Sequence, residues 1–118
     1  MGLRINDTVP DFEAETSQGQ ISFHDWIGDS WAILFSHPKD FTPVCTTEFV
    51  ALARAAGDFA QRDCALMALS VDSLFSHFAW LRMIRDRFDV EVRFPILEDP
   101  TLVIGRGYGM VAPGDSDS

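Results

Sequence analysis

Trp31-Ala32-Ile33-Leu34-Phe35-Ser36-His37-Pro38-Lys39-Asp40-Phe41-Thr42-Pro43-Val44-Cys45-Thr46-Thr47-Glu48 joins an apolar segment to a helical pattern through a loop that holds two prolines and precedes a cysteine. It opens on an apolar run of the length that forms a strand buried on both faces of a parallel sheet. Beyond it, Phe49, Leu52, Ala53, Ala56, Phe59 and Ala60 recur at three- and four-residue intervals, which predicts an amphipathic helix. Strand, stiff loop and helix follow one another, and Cys45 falls in or beside the helix's first turn. There the first backbone N–H groups have no internal acceptors and carry the positive end of the macrodipole, so a thiolate is favoured over a thiol. Thr42, Thr46 and Thr47 add hydroxyl donors, and Pro38 and Pro43 fix φ and hold Cys45 in one orientation. The dipole contributes roughly 0.3–1 kcal/mol, about 2 in a favourable site, so a further cation or several directed donors are called for. His37, Lys39 and Arg54 are the nearest candidates in sequence.

Upstream of this stretch, Leu3-Arg4-Ile5 reads as a short edge strand and Asn6-Asp7 with Pro10 as a turn. Phe12, Ala14 and Thr16 alternate with acids, Ser17 to Gln20 turn the chain, and Ile21 and Phe23 alternate again, which predicts a β-hairpin. Downstream, Cys64 to Val71 is a second buried run suited to a parallel strand. Asp72-Ser73 supplies an N-cap for a helix carried by Leu74, Phe78, Leu81, Ile84 and Phe88. Val92 to Leu97 is a further strand interrupted by Pro95, and Glu98-Asp99-Pro100 reads as a cap with proline at the first helical position. Alternation of this kind predicts an α/β layer with parallel strands and right-handed crossovers.

Length and composition set the bounds. The 118 residues allow one domain, expected to span 1–118 with 113–118 as a flexible tail, and ten Phe and three Trp supply packing bulk. Eighteen acidic against nine basic residues give a net charge of −9, which argues against nucleic acid as a partner. No run approaches the ~20 apolar residues of a membrane-spanning helix and no leader pattern opens the chain, so no membrane partner and a cytoplasmic setting are expected. Cys45 and Cys64 fit neither a disulfide framework nor Cys-x-x-Cys chemistry, and the three histidines are scattered in sequence, so no metal site is expected.

The residues also carry a family resemblance. Pro38, Thr42 and Cys45 match the Pro-x-x-x-Thr-x-x-Cys motif of peroxiredoxins, and His37, Asp40-Phe41 and Thr46-Thr47-Glu48 resemble the one-cysteine subgroup. The likeness extends to Leu69-Ser70-Val71-Asp72-Ser73, His77, Trp80, Phe94-Pro95-Ile96 and Tyr108-Gly109-Met110. It implies a thioredoxin-like three-layer sandwich with an N-terminal β-hairpin, lacking the family's last strands. One of those strands carries an arginine that the family uses beside the cysteine, and nothing here matches it. With those strands absent, the Trp31 to Phe35 strand is expected to have an unpaired edge and an uncovered apolar face, which favours a homodimer or an element-swapped oligomer.

The resemblance implies a thiol peroxidase. Cys45, Thr42 and Pro38 would be catalytic, and His37, Pro43, Val44 and Glu48 would support substrate. Peroxide would be the substrate and an external thiol the reductant, with no cofactor or metal. Each residue has a plainer reading. Free cysteines are most often buried core residues, Thr42 suits a helix cap, and Glu48 suits a capping-box carboxylate. Cys64, His77 and Trp80 read as packing. The competing function is a non-catalytic thioredoxin-fold remnant whose exposed strand edge serves binding or assembly, supported by the absent arginine. Peroxide reactivity of Cys45 separates the two.

Overall fold

A computed structural model describes residues 3–37 and 39–110. Pro38 and the tail expected at 113–118 lie outside the described residues. The chain forms β1 (Glu13–Thr16), β2 (Gly19–Ser22), α1 (Phe23–Ile27), β3 (Trp31–Ser36), α2 (Pro43–Gln61), β4 (Cys64–Ser70), α3 (Leu74–Phe88), β5 (Ile96–Glu98) and α4 (Val103–Gly107). The strands make one sheet in the order β2-β1-β5-β4-β3. β3, β4 and β5 run parallel, and β1 is antiparallel to both β2 and β5.

Alternation along β4 sorts the core into two layers. Leu66 and Ala68 face α2 and α3, where they meet Phe49, Val50, Trp80, Ile84, Phe94 and Ile96. Met67 and Leu69 face the other way, toward Ala14, Phe23 and Leu97, with Trp26, Ile104 and Tyr108 packed alongside. Side chains that alternate across a strand buried on both faces give this two-sided pattern. The result is a helix–sheet–helix sandwich, as expected for the fold. Among the described residues, no helix is long and apolar enough to cross a membrane.

The hairpin forms as read. Gly19 takes φ 98 after the Ser17-Gln18 turn, and the Thr16 hydroxyl donates to the Gly19 carbonyl at 2.7 Å. Four expectations are corrected. Leu3 to Ile5 form no strand and are exposed. The connection after the hairpin closes into the short helix α1, ended by Gly28 at φ 55. β5 starts only at Ile96, because Pro95 cannot donate to a ladder. Pro100 does not open α4, whose N-cap is Leu102. Asp99 nevertheless caps that helix from a distance, accepting from the Ile104 and Gly105 N–H groups at 3.2 and 2.9 Å.

β3 is not buried on both faces. It is the last strand of the sheet, and it leaves Trp31 77% and Ile33 42% exposed. The unpaired edge expected from the sequence is therefore present in the described chain. Its C-terminal end differs. Phe35 packs edge-on against Phe49 and Phe94, with ring centroids 5.6 Å apart in each case, and so pins β3 to α2 where the cysteine loop begins.

Candidate active site

The start of α2 is set by local chemistry. Thr42 is the N-cap, in extended conformation, and Pro43 occupies the first helical position, where its missing N–H is no loss. Val44 and Cys45 follow as the second and third helical residues. Thr46 donates to the Thr42 carbonyl at 2.9 Å, so the N–H groups of Val44 and Cys45 are left without intrahelical acceptors. Val44 is exposed, whereas Cys45 is buried. The Thr42 hydroxyl makes no side-chain cap and lies 3.3 Å from the Lys39 carbonyl oxygen. Glu48 cannot form the expected capping box. With Thr42 as N-cap the reciprocal position belongs to Cys45, and Glu48 lies one turn later.

Cys45 lines a cavity of about 70 Å³ with Phe35, Ser36, His37, Glu48, Phe49 and Leu52. That is far below the roughly 300–1,000 Å³ of drug-sized sites, so it suits a small molecule. The structure thus brings His37, Glu48 and Cys45 together. Thr42, Pro43 and Val44 form the adjoining helix start without lining the cavity. Lys39 and Arg54, the cations nearest in sequence, are exposed, and neither lines it.

His37 directly follows β3, with its backbone N–H bonded to the Leu69 carbonyl at 3.1 Å. Its ring packs against Phe49 and Trp80, with centroids 5.0 Å from each, and those two rings touch one another at 4.4 Å. Phe41 takes φ 68, a left-handed conformation that costs a non-glycine residue about 1 kcal/mol or more. This reversal lets the chain enter α2 while Asp40 stays turned inward. Asp40 Oδ1 lies 2.6 Å from His37 Nε2, and Asp40 Oδ2 lies 2.6 Å from Nδ1 of His77 on α3. The Asp40 N–H donates to Asp72 Oδ2 at 2.7 Å. His77 Nε2 sits 3.0 Å from the Leu97 carbonyl oxygen on β5. Burial pushes the Asp40 carboxyl upward, but hydrogen bonds from His37 and His77 and the charge of His77 outweigh it and hold the group at about 2.

This cluster is the feature that sequence reading missed. His37, Asp40 and His77 come within 4.8 Å of one another, so two of the three histidines are not scattered in space. Both nitrogen–oxygen contacts have the short length of charge-assisted hydrogen bonds, and protons satisfy them. The signal was the place of His77 on the apolar stripe of α3, among Leu74, Leu81 and Ile84. A histidine buried there requires a polar partner. On the same helix Trp80 does more than pack: its indole N–H donates to the Thr46 hydroxyl at 3.0 Å and ties α3 to the first turn of α2.

Cys64 is placed otherwise. It opens β4 in register with Trp31, at the opposite end of the parallel strands from Cys45.

The sequence pattern of the AhpC/TSA family matches residues 5–116. The chain belongs to that family. It is 47% identical over 113 residues to a peroxiredoxin of Aquifex aeolicus strain VF5, covering 96% of this chain and 51% of the relative. A 1-Cys peroxiredoxin of Dictyostelium discoideum is 45% identical over 111 residues, covering 94% of this chain and 46% of the relative. Among solved structures, a yeast mitochondrial 1-Cys peroxiredoxin superposes with a TM-score of 0.89 at 45% identity, covering 98% of this chain and 55% of the other. The chain therefore spans about half the length of the curated relatives it matches, and the thioredoxin-like peroxiredoxin fold is common to them.

Proposed function

We propose that this AhpC/TSA chain is a thiol-dependent peroxidase in which Cys45 reduces hydrogen peroxide or a small alkyl hydroperoxide. The observation that carries the reading is the place of Cys45: third residue of α2, buried, and lining a small cavity with His37. The Cys45 sulfur attacks the terminal peroxide oxygen, the O–O bond breaks, and sulfenic acid forms on Cys45 while the departing oxygen leaves as water or an alcohol. The N–H groups of Val44 and Cys45 and the Thr42 hydroxyl stabilise negative charge that develops at the helix start. Pro43 at the first helical position stiffens the helix start that carries Cys45, and Glu48 borders the cavity.

No metal, haem or flavin takes part in this scheme. Cys64 lies at the far end of the strands, so an external thiol reduces the sulfenic acid. The yeast relative is described as having its thiol resolved through glutathione/thioredoxin systems, and the same classes of reductant are proposed here. A cytoplasmic setting suits such thiols. The exposed Trp31 and Ile33 on β3 support self-association along that edge.

The test is peroxide consumption with dithiothreitol as reductant, using hydrogen peroxide and tert-butyl hydroperoxide. The expected result is turnover well above that of the reductant alone, abolished in Cys45→Ser. Turnover that survives in Cys45→Ser, or is absent from the unmodified chain, overturns the proposal.

A further inference from the structure

β4 is paired along only part of its length on the β5 side. The Trp31 and His37 N–H groups bond the carbonyls of Asp63 and Leu69, so odd-numbered residues along β4 turn their backbone groups to β3. Even-numbered residues turn to β5: the Ala68 N–H donates to the Pro95 carbonyl at 3.0 Å, and the Ser70 carbonyl accepts from the Asp99 N–H at 2.9 Å. That register begins at Ala68, opposite Ile96. Continued back to Leu66, it would need an N–H from residue 95, which is proline and has none. The matching acceptor for the Leu66 N–H is the Arg93 carbonyl, which instead accepts from the Gln18 carboxamide. Among the described residues, the Leu66 N–H and carbonyl have no hydrogen-bond partner. Backbone groups of this kind are seldom left unmatched, and a peptide group of a ligand matches both.

A cavity of about 330 Å³ opens at this gap, lined by Cys64 and Leu66 of β4 together with Gln18, Trp26, Arg93 and Phe94. Its volume is that of a small-molecule site. The Arg93 side chain is 80% exposed, and its contact with Glu91, at 3.7 Å, is long and solvated. In a chain of net charge −9 it gives the cavity a cation. The Cys64 thiol is half-buried and free. An extended peptide of three residues spans about 10 Å, the length of the open run from Cys64 to Leu66.

We propose that this cavity binds a small anionic peptide disulfide and that Cys64 captures one half of it by thiol–disulfide exchange. A peptide group of the ligand pairs with the Leu66 N–H and carbonyl, as a strand added to a sheet edge does. A ligand carboxylate meets the Arg93 guanidinium. The Cys64 thiolate attacks one ligand sulfur, the ligand's S–S bond breaks as the new S–S bond forms, and the departing thiolate takes up the proton that Cys64 released. Cys64 is thereby oxidised to a mixed disulfide and the departing half is reduced to a thiol, the ligand's own disulfide being the oxidant. The site lies at the opposite end of the parallel strands from Cys45 and is independent of the peroxidase reading.

The test uses the full chain with Cys45→Ser, in which Cys64 is the one thiol left. Intact mass follows adduct formation at neutral pH with three probes: glutathione disulfide, anionic and peptide-bonded; hydroxyethyl disulfide, neutral; and cystamine, cationic. Each rate is divided by that of the same probe with free cysteine. So divided, the rate with glutathione disulfide should exceed that with hydroxyethyl disulfide by about tenfold or more, with cystamine slowest. Arg93→Glu, at an exposed position where folding is not at stake, should lower the glutathione disulfide rate roughly tenfold and raise that with cystamine. S-methylglutathione, which cannot exchange, should shift the Leu66 amide resonance in proton–nitrogen NMR of the chain carrying Cys45→Ser and Cys64→Ser. Equal divided rates for the three probes, an Arg93→Glu chain that reacts like its parent, or an unmoved Leu66 amide overturns the proposal.

Discussion

Cys45 and Cys64 are the same residue in two settings, and the difference lies almost wholly in the backbone that carries them. Cys64 opens a strand in register with Trp31, and its Sγ lies 3.9 Å from the carbonyl oxygen of Ala65. Cys45 opens a helix, where backbone donors are left over. It also lines a cavity with His37, whose Nδ1 is buried without a hydrogen-bond partner. Burial does not separate the two in the expected sense, since the more buried thiol is the one assigned the chemistry. Reactivity follows the surrounding dipoles and proton acceptors rather than exposure alone.

Replacing each sulfur in turn separates the two cysteines most strongly. Cys45→Ser is expected to remove all peroxide turnover, whereas Cys64→Ser should keep the rate within about twofold, as expected of a site away from the machinery. Steady-state peroxide consumption reads both. Next in size is the support beneath Cys45. Trp80 is fully buried and bonds the first turn of α2, so Trp80→Ala should cost about 3–5 kcal/mol in urea unfolding. It should slow Cys45 more than it slows Cys64.

Acid supplies a smaller effect with a definite sign. Asp40 is depressed from 3.8 to about 2 in the folded chain, so its stabilising contribution is fully present above pH 3.8 and is lost as pH falls through about 2. Acid titration followed by circular dichroism should therefore show a loss on the order of 2 kcal/mol across that window, absent in Asp40→Asn. The smallest effect belongs to the Cys64 end. Trp31→Lys places a charge on the exposed β3 edge, opposite Cys64 in the ladder. It should change stability by no more than about 0.5 kcal/mol, abolish in sedimentation runs the self-association proposed for that edge, and leave Cys45 reactivity unaltered.

The parts of the molecule that were legible in sequence are those governed by local rules. Pro43 at the first helical position, the apolar spacing of α2 and α3, the Ser73 cap, whose hydroxyl accepts from the Ser76 N–H at 3.2 Å, and the hairpin around Gly19 all follow from short-range chemistry. The reach of β3 into an exposed edge was legible too, once the run was compared with the fold it resembles. What was not legible depends on pairs far apart in the chain. Asp40, in the loop before α2, and His77, on α3, are brought together only by the packing of α3 against α2 and β5. Asp99 caps α4 from before a left-handed Leu102, which no capping pattern signals. Glu48 was misread because the helix starts earlier than the cysteine, moving the reciprocal capping position one turn back.

In the proposed reaction it is position, not thiol chemistry alone, that makes Cys45 the nucleophile. One measurement tests it within a single molecule: dimedone trapping of sulfenic acid after hydrogen peroxide is added, resolved by peptide mass at Cys45 and Cys64, with free cysteine as the rate reference. Trapping is expected at Cys45 far faster than at free cysteine, with none above that reference at Cys64. Equal rates at the two cysteines, or a Cys45 no faster than free cysteine, would contradict it.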